Sequence, residues 1–188
     1  MRRQISVYLI PLLCCALFVA AQLIPVNYQQ MLPLNRVAVG HGEWWRLLSG
    51  HFIHINWTHL IFNALVVILF QGLYRGFFTW RQWLVLVPLL CIGVSAGILW
   101  LTPLKWYMGF SGVLTGLLVA AAILQWRQMP FINAVVLAAI GIKVFMEQLS
   151  GKEVIVSTIS HVPTAVDAHL YGAVCGLVLG TLGVVLRR

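Results

Sequence analysis

Charge is what this chain has least of. Only 9% of its 188 residues are charged and only four are acidic, against 61% hydrophobic. A soluble domain needs far more polar surface than that, so the composition indicates an integral membrane protein and leaves little room for a second domain. The net charge of +8 does not indicate nucleic acid, because the basic residues stand singly or in pairs between apolar runs and form no stripe. Cysteine is also sparse. Cys14, Cys15, Cys91 and Cys175 all fall inside apolar runs without metal-ligand spacing, which assigns them to packing and reports nothing about redox compartment.

What is present is a succession of apolar runs. They predict an all-α integral membrane fold, a six-transmembrane-helix bundle in one domain over 1–188, with spans at about 5–24, 58–74, 82–101, 111–125, 131–149 and 165–186. Arg2 and Arg3 precede the first run as in a signal peptide. Its length and the lack of a small-x-small cleavage site favour a retained anchor. Pro25 ends that run, and Pro88 predicts a kink in the third. The connection from Val26 to Trp57 carries Glu43-Trp44-Trp45-Arg46, which suits a headgroup interface. Its histidines at 41 and 51, with His161, have no evident partner in the sequence, and His54 reads as structural.

With six spans, one side holds Arg2, Arg3, Arg75, Arg81, Arg127, Arg187 and Arg188 and no acid. The other holds Arg36, Arg46, Lys105 and Lys152 with Glu43, Glu153 and Asp167. The bias places the first side in the cytoplasm, with both termini. It also puts Ser111, His59, Asn63 and His169 at one level, toward the outer face. From Ser111 to Gln125 is about 22 Å of helix against a hydrocarbon core of about 30 Å, so Ser111 is expected below the outer surface, reached by a loop that dips into the membrane.

Gly109-Phe110-Ser111-Gly112 holds one hydroxyl between glycines. The pattern fits a nucleophile at an exposed edge, and equally a helix-packing motif. A serine needs a base, and an imidazole is the common one. His169 is the best placed, since Gly172, Gly176 and Gly180 follow it at every fourth position and Gly112 and Gly116 match them on span four. If the stripes face each other, Ser111 and His169 meet; the other reading is a packing motif whose histidine bonds a carbonyl. His59 and Asn63, four apart, share one helix face. They read either as a polar pair bridging two helices or, with the Ser111 N–H, as donors to the oxyanion of a tetrahedral intermediate.

These residues resemble the motifs of rhomboid intramembrane serine proteases. His54 to Asn63 follows their H-x4-H-x3-N, Gly109 to Gly112 their G-x-S-G, and Ala168-His169 with Gly172 and Gly176 their A-H-x2-G-x3-G, while Trp45-Arg46 resembles the Trp-Arg of their first external loop. The resemblance implies a Ser111–His169 catalytic dyad, oxyanion donors in His59, Asn63 and the Ser111 N–H, and no cofactor or metal. It implies peptide-bond hydrolysis through an acyl-enzyme at the outer face of a bacterial inner membrane. The compact form and Asp167-Ala168-His169-Leu170-Tyr171-Gly172 are most similar to rhombosortases, whose partners would be membrane-anchored proteins with a Gly-Gly-type C-terminal sorting signal. One departure concerns the position a turn after the serine, where many rhomboids carry a tyrosine stacked on the histidine and this chain has Thr115. That leaves the group that orients His169 undefined.

Asp167 reads as an N-cap of span six or a polar group at the cavity mouth rather than a triad member, because residues two apart on a helix face different ways. Lys143 and Glu147, four apart near the outer end of span five, read as a snorkelling interfacial pair or as a substrate-binding latch for a polar motif. Two further function classes stand beside the protease: a non-catalytic relative that binds membrane clients, which would be expected to lack the serine or histidine, and a haem or metal protein using His59 and His169.

Overall fold

The protein is described by a computed structural model covering residues 2–75, 77–153, 158–159 and 164–186. His161, Arg187 and Arg188 lie outside the described residues. Each apolar run forms a helix. The long ones are α1 (Arg2–Leu23), α5 (Trp57–Leu73), α6 (Trp80–Leu101), α7 (Ser111–Leu124), α8 (Pro130–Ser150) and α9 (Val166–Val185). The connection after α1 folds into three short helices, α2 (Val26–Gln29), α3 (Arg36–Gly40) and α4 (Arg46–Ser49), with strand β1 (Leu34–Asn35) between α2 and α3. Strand β2 (Trp106–Tyr107) pairs antiparallel with β1. By length and composition α6, α8 and α9 are able to cross a membrane, while Tyr8–Leu23, α5 and α7 are shorter apolar helices.

Local chemistry explains the boundaries. Asn56 accepts the His59 N–H at 2.8 Å and caps α5. Thr79 and Gln82 form a reciprocal capping box at the start of α6. Pro130 occupies the first turn of α8, where its missing N–H costs nothing, and Gly151 ends that helix in the left-handed region with φ 67°. Pro88 lies inside α6, which continues past it to Leu101.

Helix α7 is the centre of the molecule. Eleven of its fourteen residues are buried, and α9 lies against it along the glycine stripes. A Cβ on Gly112 would stand 2.6 Å from the Ala168 carbonyl oxygen, and one on Gly116 2.7 Å from that of Gly172. On the facing helix, a Cβ on Gly172 or Gly176 would overlap the Gly112 or Gly116 carbonyl. Only hydrogen fits at these positions, so the two backbones run in direct contact. On the other side of α7 the core is aliphatic and aromatic, built from Phe70, Tyr74, Phe78, Trp83 and Leu117.

The two ends of the bundle differ. At one, Tyr74 Oη donates to Asn133 Oδ1 (3.0 Å), Asn133 Nδ2 to the Gln125 carbonyl (2.7 Å) and Gln125 Nε2 to the Phe77 carbonyl (2.6 Å). At the other, Arg36 donates to the carbonyls of Ile98, Thr102 and Leu104 and ties off the C-terminus of α6. Buried Arg46 pairs with Glu43 (Nε–Oε2 2.7 Å) and donates to the Gln30 and Pro33 carbonyls. Trp44, Trp45, Trp57, Trp100 and Trp106 are exposed at this second end, and Trp80 and Trp126 at the first. Outward indoles at both ends suit the two interfaces of a bilayer.

His51 departs from its sequence reading. It is fully buried, and its Nε2 faces two acceptors, the Cys91 carbonyl and Ser95 Oγ, each at 3.0 Å, while Ser95 donates to the Leu47 carbonyl at 2.9 Å. Nε2 therefore carries the proton. Burial lowers the His51 pKa to about 4, which keeps the ring neutral. This histidine fastens the α4 connection to α6.

Candidate active site

Ser111 opens α7 and is held from the loop before it. The Gly109 N–H donates to the Gly50 carbonyl at 3.0 Å, and Tyr107 Oη donates to the Gly109 carbonyl at 2.7 Å. Gly109 has φ +121°, a backbone region that side-chain-bearing residues rarely adopt, and a Cβ there would stand 2.8 Å from His59 Cε1. Phe110 is fully buried, with ring centroids 5.1 Å from Phe18 and 5.4 Å from Phe52. The residue before the serine is thus an anchor. Because Ser111 is the first residue of α7, its N–H belongs to the group with no intrahelical partner.

His169 stands in the first turn of α9, where the glycine stripes bring it over Ser111. Its Nε2 lies 2.9 Å from Ser111 Oγ. Its ring is 2% exposed. The other ring nitrogen, Nδ1, lies 2.8 Å from Glu147 Oε2 and 3.0 Å from Lys143 Nζ. Lys143 pairs with Glu147, as the i,i+4 spacing requires, and stands 3.5 Å from Glu153. The snorkelling reading of this pair fails for Glu147. Its side chain is 5% exposed and turns inward onto the imidazole, while Lys143 at 41% keeps contact with the surface.

Asp167 does not cap α9. Ala165 occupies the N-cap position without a side-chain bond, and Asp167 lies in the first turn, where a negative charge suits the helix dipole. Thr115 is buried and donates to the Ser111 carbonyl at 2.9 Å, within its own helix. It has no part in holding the imidazole.

His59 lines a cavity of about 520 Å³ together with Ile55, Leu104, Trp106, Met108 and Ser111. Its ring meets that of His54 edge-on at 5.2 Å, and His54 is itself buried against Phe18, in keeping with a structural role. Asn63 lies one turn further along α5. Its Nδ2 donates to the His59 carbonyl at 2.9 Å, and its Oδ1 is buried without a partner among the described residues. The structure thus brings Ser111 and His59 together at one cavity, buries His169 against Ser111, adds Lys143 and Glu147 behind the imidazole, and sets Asn63 below His59. Sequence reasoning missed the Glu147–His169 contact. The sequence marks Glu147 as the acid within span five, toward the same end of the bundle as His169, but not which way it faces.

The fold and this cluster define a helical, membrane-type bundle with a serine on an imidazole at the wall of an apolar cavity. Residues 41–185 match the Rhomboid domain family, and the chain belongs to that family, whose members are intramembrane serine proteases. A stretch of 34 residues is 44% identical to "Putative rhomboid protease YdcA" of Bacillus subtilis (strain 168), a match that spans 18% of this chain and 17% of that protein.

Proposed function

We propose that this protein is an intramembrane serine endopeptidase in which Ser111 is the nucleophile and His169 the base. The observation that carries the reading is the 2.9 Å approach of His169 Nε2 to Ser111 Oγ beside the cavity. His169 takes the Ser111 proton as Oγ attacks the scissile carbonyl, then returns it to the leaving amine. The developing oxyanion falls to the Ser111 N–H, the His59 ring and the second N–H of the Asn63 amide. Preorganised donors of this kind are worth about 3 kcal/mol each in a site that excludes water. Both ring nitrogens of His169 are engaged, by Ser111 on one side and by Glu147 and Lys143 on the other, which speaks against axial ligation of a haem.

All six long helices cross the bilayer in this reading. Arg75, Arg81 and Arg127 face the cytoplasm with both termini, and the site opens to the periplasmic side of a bacterial inner membrane. At about 21 Å, α7 is shorter than the hydrocarbon core, so Ser111 is submerged. The substrates are membrane-anchored proteins with a Gly-Gly-type C-terminal sorting signal, as in rhombosortases. The compact bundle and the run from Asp167 to Gly172 support that branch.

Expressing the protein beside such a substrate and beside an ordinary transmembrane reporter tests both levels. Processing of the Gly-Gly protein that is lost in Ser111→Ala and in His169→Ala supports the reading in full. Processing of the transmembrane reporter alone makes the protein a general rhomboid protease. Undiminished processing by Ser111→Ala overturns the mechanism.

A further inference from the structure

We propose that Glu147 is the positioning residue of the site, which makes it a Ser111–His169–Glu147 triad rather than a dyad. The inference rests on the protease reading above and assigns its third member. The three groups come from three helix ends at one level: the first residue of α7, the first turn of α9 and the last turn of α8. They form one continuous line of bonds, Ser111 Oγ to His169 Nε2 at 2.9 Å and His169 Nδ1 to Glu147 Oε2 at 2.8 Å. Both inner members are buried, with side chains 2% and 5% exposed. Glu147 is fixed by its backbone as well. Its carbonyl accepts the Gly151 N–H at 2.8 Å in the turn that ends α8.

Hydrogen-bond chemistry decides which tautomer this arrangement holds. A carboxylate only accepts and an ammonium only donates. If Nδ1 lacked a proton it would accept from Lys143, but its lone pair would then face the Glu147 oxygen at 2.8 Å. Nε2 would carry the proton instead and could not take one from serine. With the proton on Nδ1, that N–H donates to Glu147 Oε2, Nε2 is left free to accept from Ser111, and Lys143 bonds the second carboxylate oxygen, Oε1. The carboxylate and the serine are then satisfied, and the imidazole is set as a base; the Lys143 ammonium, 3.0 Å from Nδ1, gains no bond from the ring in this tautomer and gives its hydrogens to Glu147 and Glu153. When the ring becomes an imidazolium, the carboxylate stabilises it.

Lys143 offsets the carboxylate charge, which would be costly to bury alone. It also bridges to Glu153 at 3.5 Å. Neither Thr115 nor Asp167 fills this role. Thr115 bonds the Ser111 carbonyl, and Asp167 lies in the first turn of α9 on the side of Tyr171.

Steady-state kinetics of the purified full chain on a membrane-anchored reporter, with Ser111→Ala alongside, tests the assignment. Glu147→Gln is expected to lower kcat by roughly 10²- to 10⁴-fold, as loss of the orienting carboxylate does in serine triads, with KM unchanged within about threefold. Glu147→Asp, which keeps the charge, is expected to recover at least about tenfold of that loss, a rescue that a purely structural role does not produce. Glu147→Gln combined with Lys143→Met removes the ammonium left without its partner, and kcat is expected to stay low. A kcat for Glu147→Gln equal to wild type, or recovery to wild type in the double variant, overturns the triad while Ser111→Ala remains inactive. If Ser111→Ala itself cleaves at the wild-type rate, the protease reading fails instead.

Discussion

The contact between α7 and α9 carries a quantitative expectation, because backbone meets backbone there with no side chain to yield. In Gly116→Ala the new Cβ stands 2.7 Å from the Gly172 carbonyl oxygen and 2.5 Å from Leu90 Cδ2. Leu90 is able to swing away; the carbonyl is not. Ordinary van der Waals contact begins near 3.4 Å, so the helices must part by about 0.7 Å. Gly172 lies less than one turn beyond His169. The parting therefore carries the Ser111–His169 separation from 2.9 Å to about 3.6 Å, beyond useful hydrogen bonding. A misplacement of that size in a reacting pair costs roughly 10- to 100-fold in kcat, with a stability loss of about 1–3 kcal/mol. Gly141→Ala is the matched control, since a Cβ there meets nothing within 4 Å. Reporter cleavage and thermal unfolding of the two variants in the same detergent give the comparison. Equal kcat in Gly116→Ala and Gly141→Ala would refute the argument that the glycine stripe sets the distance between serine and histidine.

Two further predictions concern the connection between α1 and α5. Arg46→Ala strands Glu43 and two carbonyls around a buried site, and is expected to cost about 2–4 kcal/mol in thermal unfolding, with Arg46→Lys recovering only part because an ammonium cannot reproduce the guanidinium fork; a melting temperature unchanged within a degree counts against it. His51 is held neutral with its pKa lowered to about 4, and burial lowers that of His54 to about 3, so the unfolded chain binds protons that the folded one refuses. Their stabilisation is complete above about pH 6.5 and is lost as the pH falls toward 4, with His51 alone contributing about 2 kcal/mol of loss by pH 5. A melting temperature that is flat from pH 7.5 to 5 contradicts this.

The helices and the paired residues were legible in the sequence because each leaves a local mark. Apolar runs gave the positions of all six long helices, and glycines at every fourth position on two of them implied the close approach that brings His169 to Ser111. The Glu147 contact was not legible for a physical reason. Helix α8 is apolar around most of its circumference, so its sequence does not fix its rotation, and only packing turns Glu147 inward rather than toward a headgroup. Asp167 shows a smaller error of the same origin. A cap depends on where the first turn begins, and α9 begins two residues earlier than the acid suggests. His51 was unreadable because its partners, Cys91 and Ser95, lie on α6, some forty residues away. No periodicity links a connection to the helix it packs on.

The central claim is that Ser111 is a nucleophile activated by His169. The most direct measurement is to treat the folded, purified protein with a fluorophosphonate, which forms an oxygen–phosphorus bond with an activated serine and releases fluoride, and to locate the adduct by peptide mass spectrometry. The account predicts a single adduct on Ser111 that is absent in His169→Ala. An adduct on another serine, or equal labelling of Ser111 in His169→Ala, would contradict it.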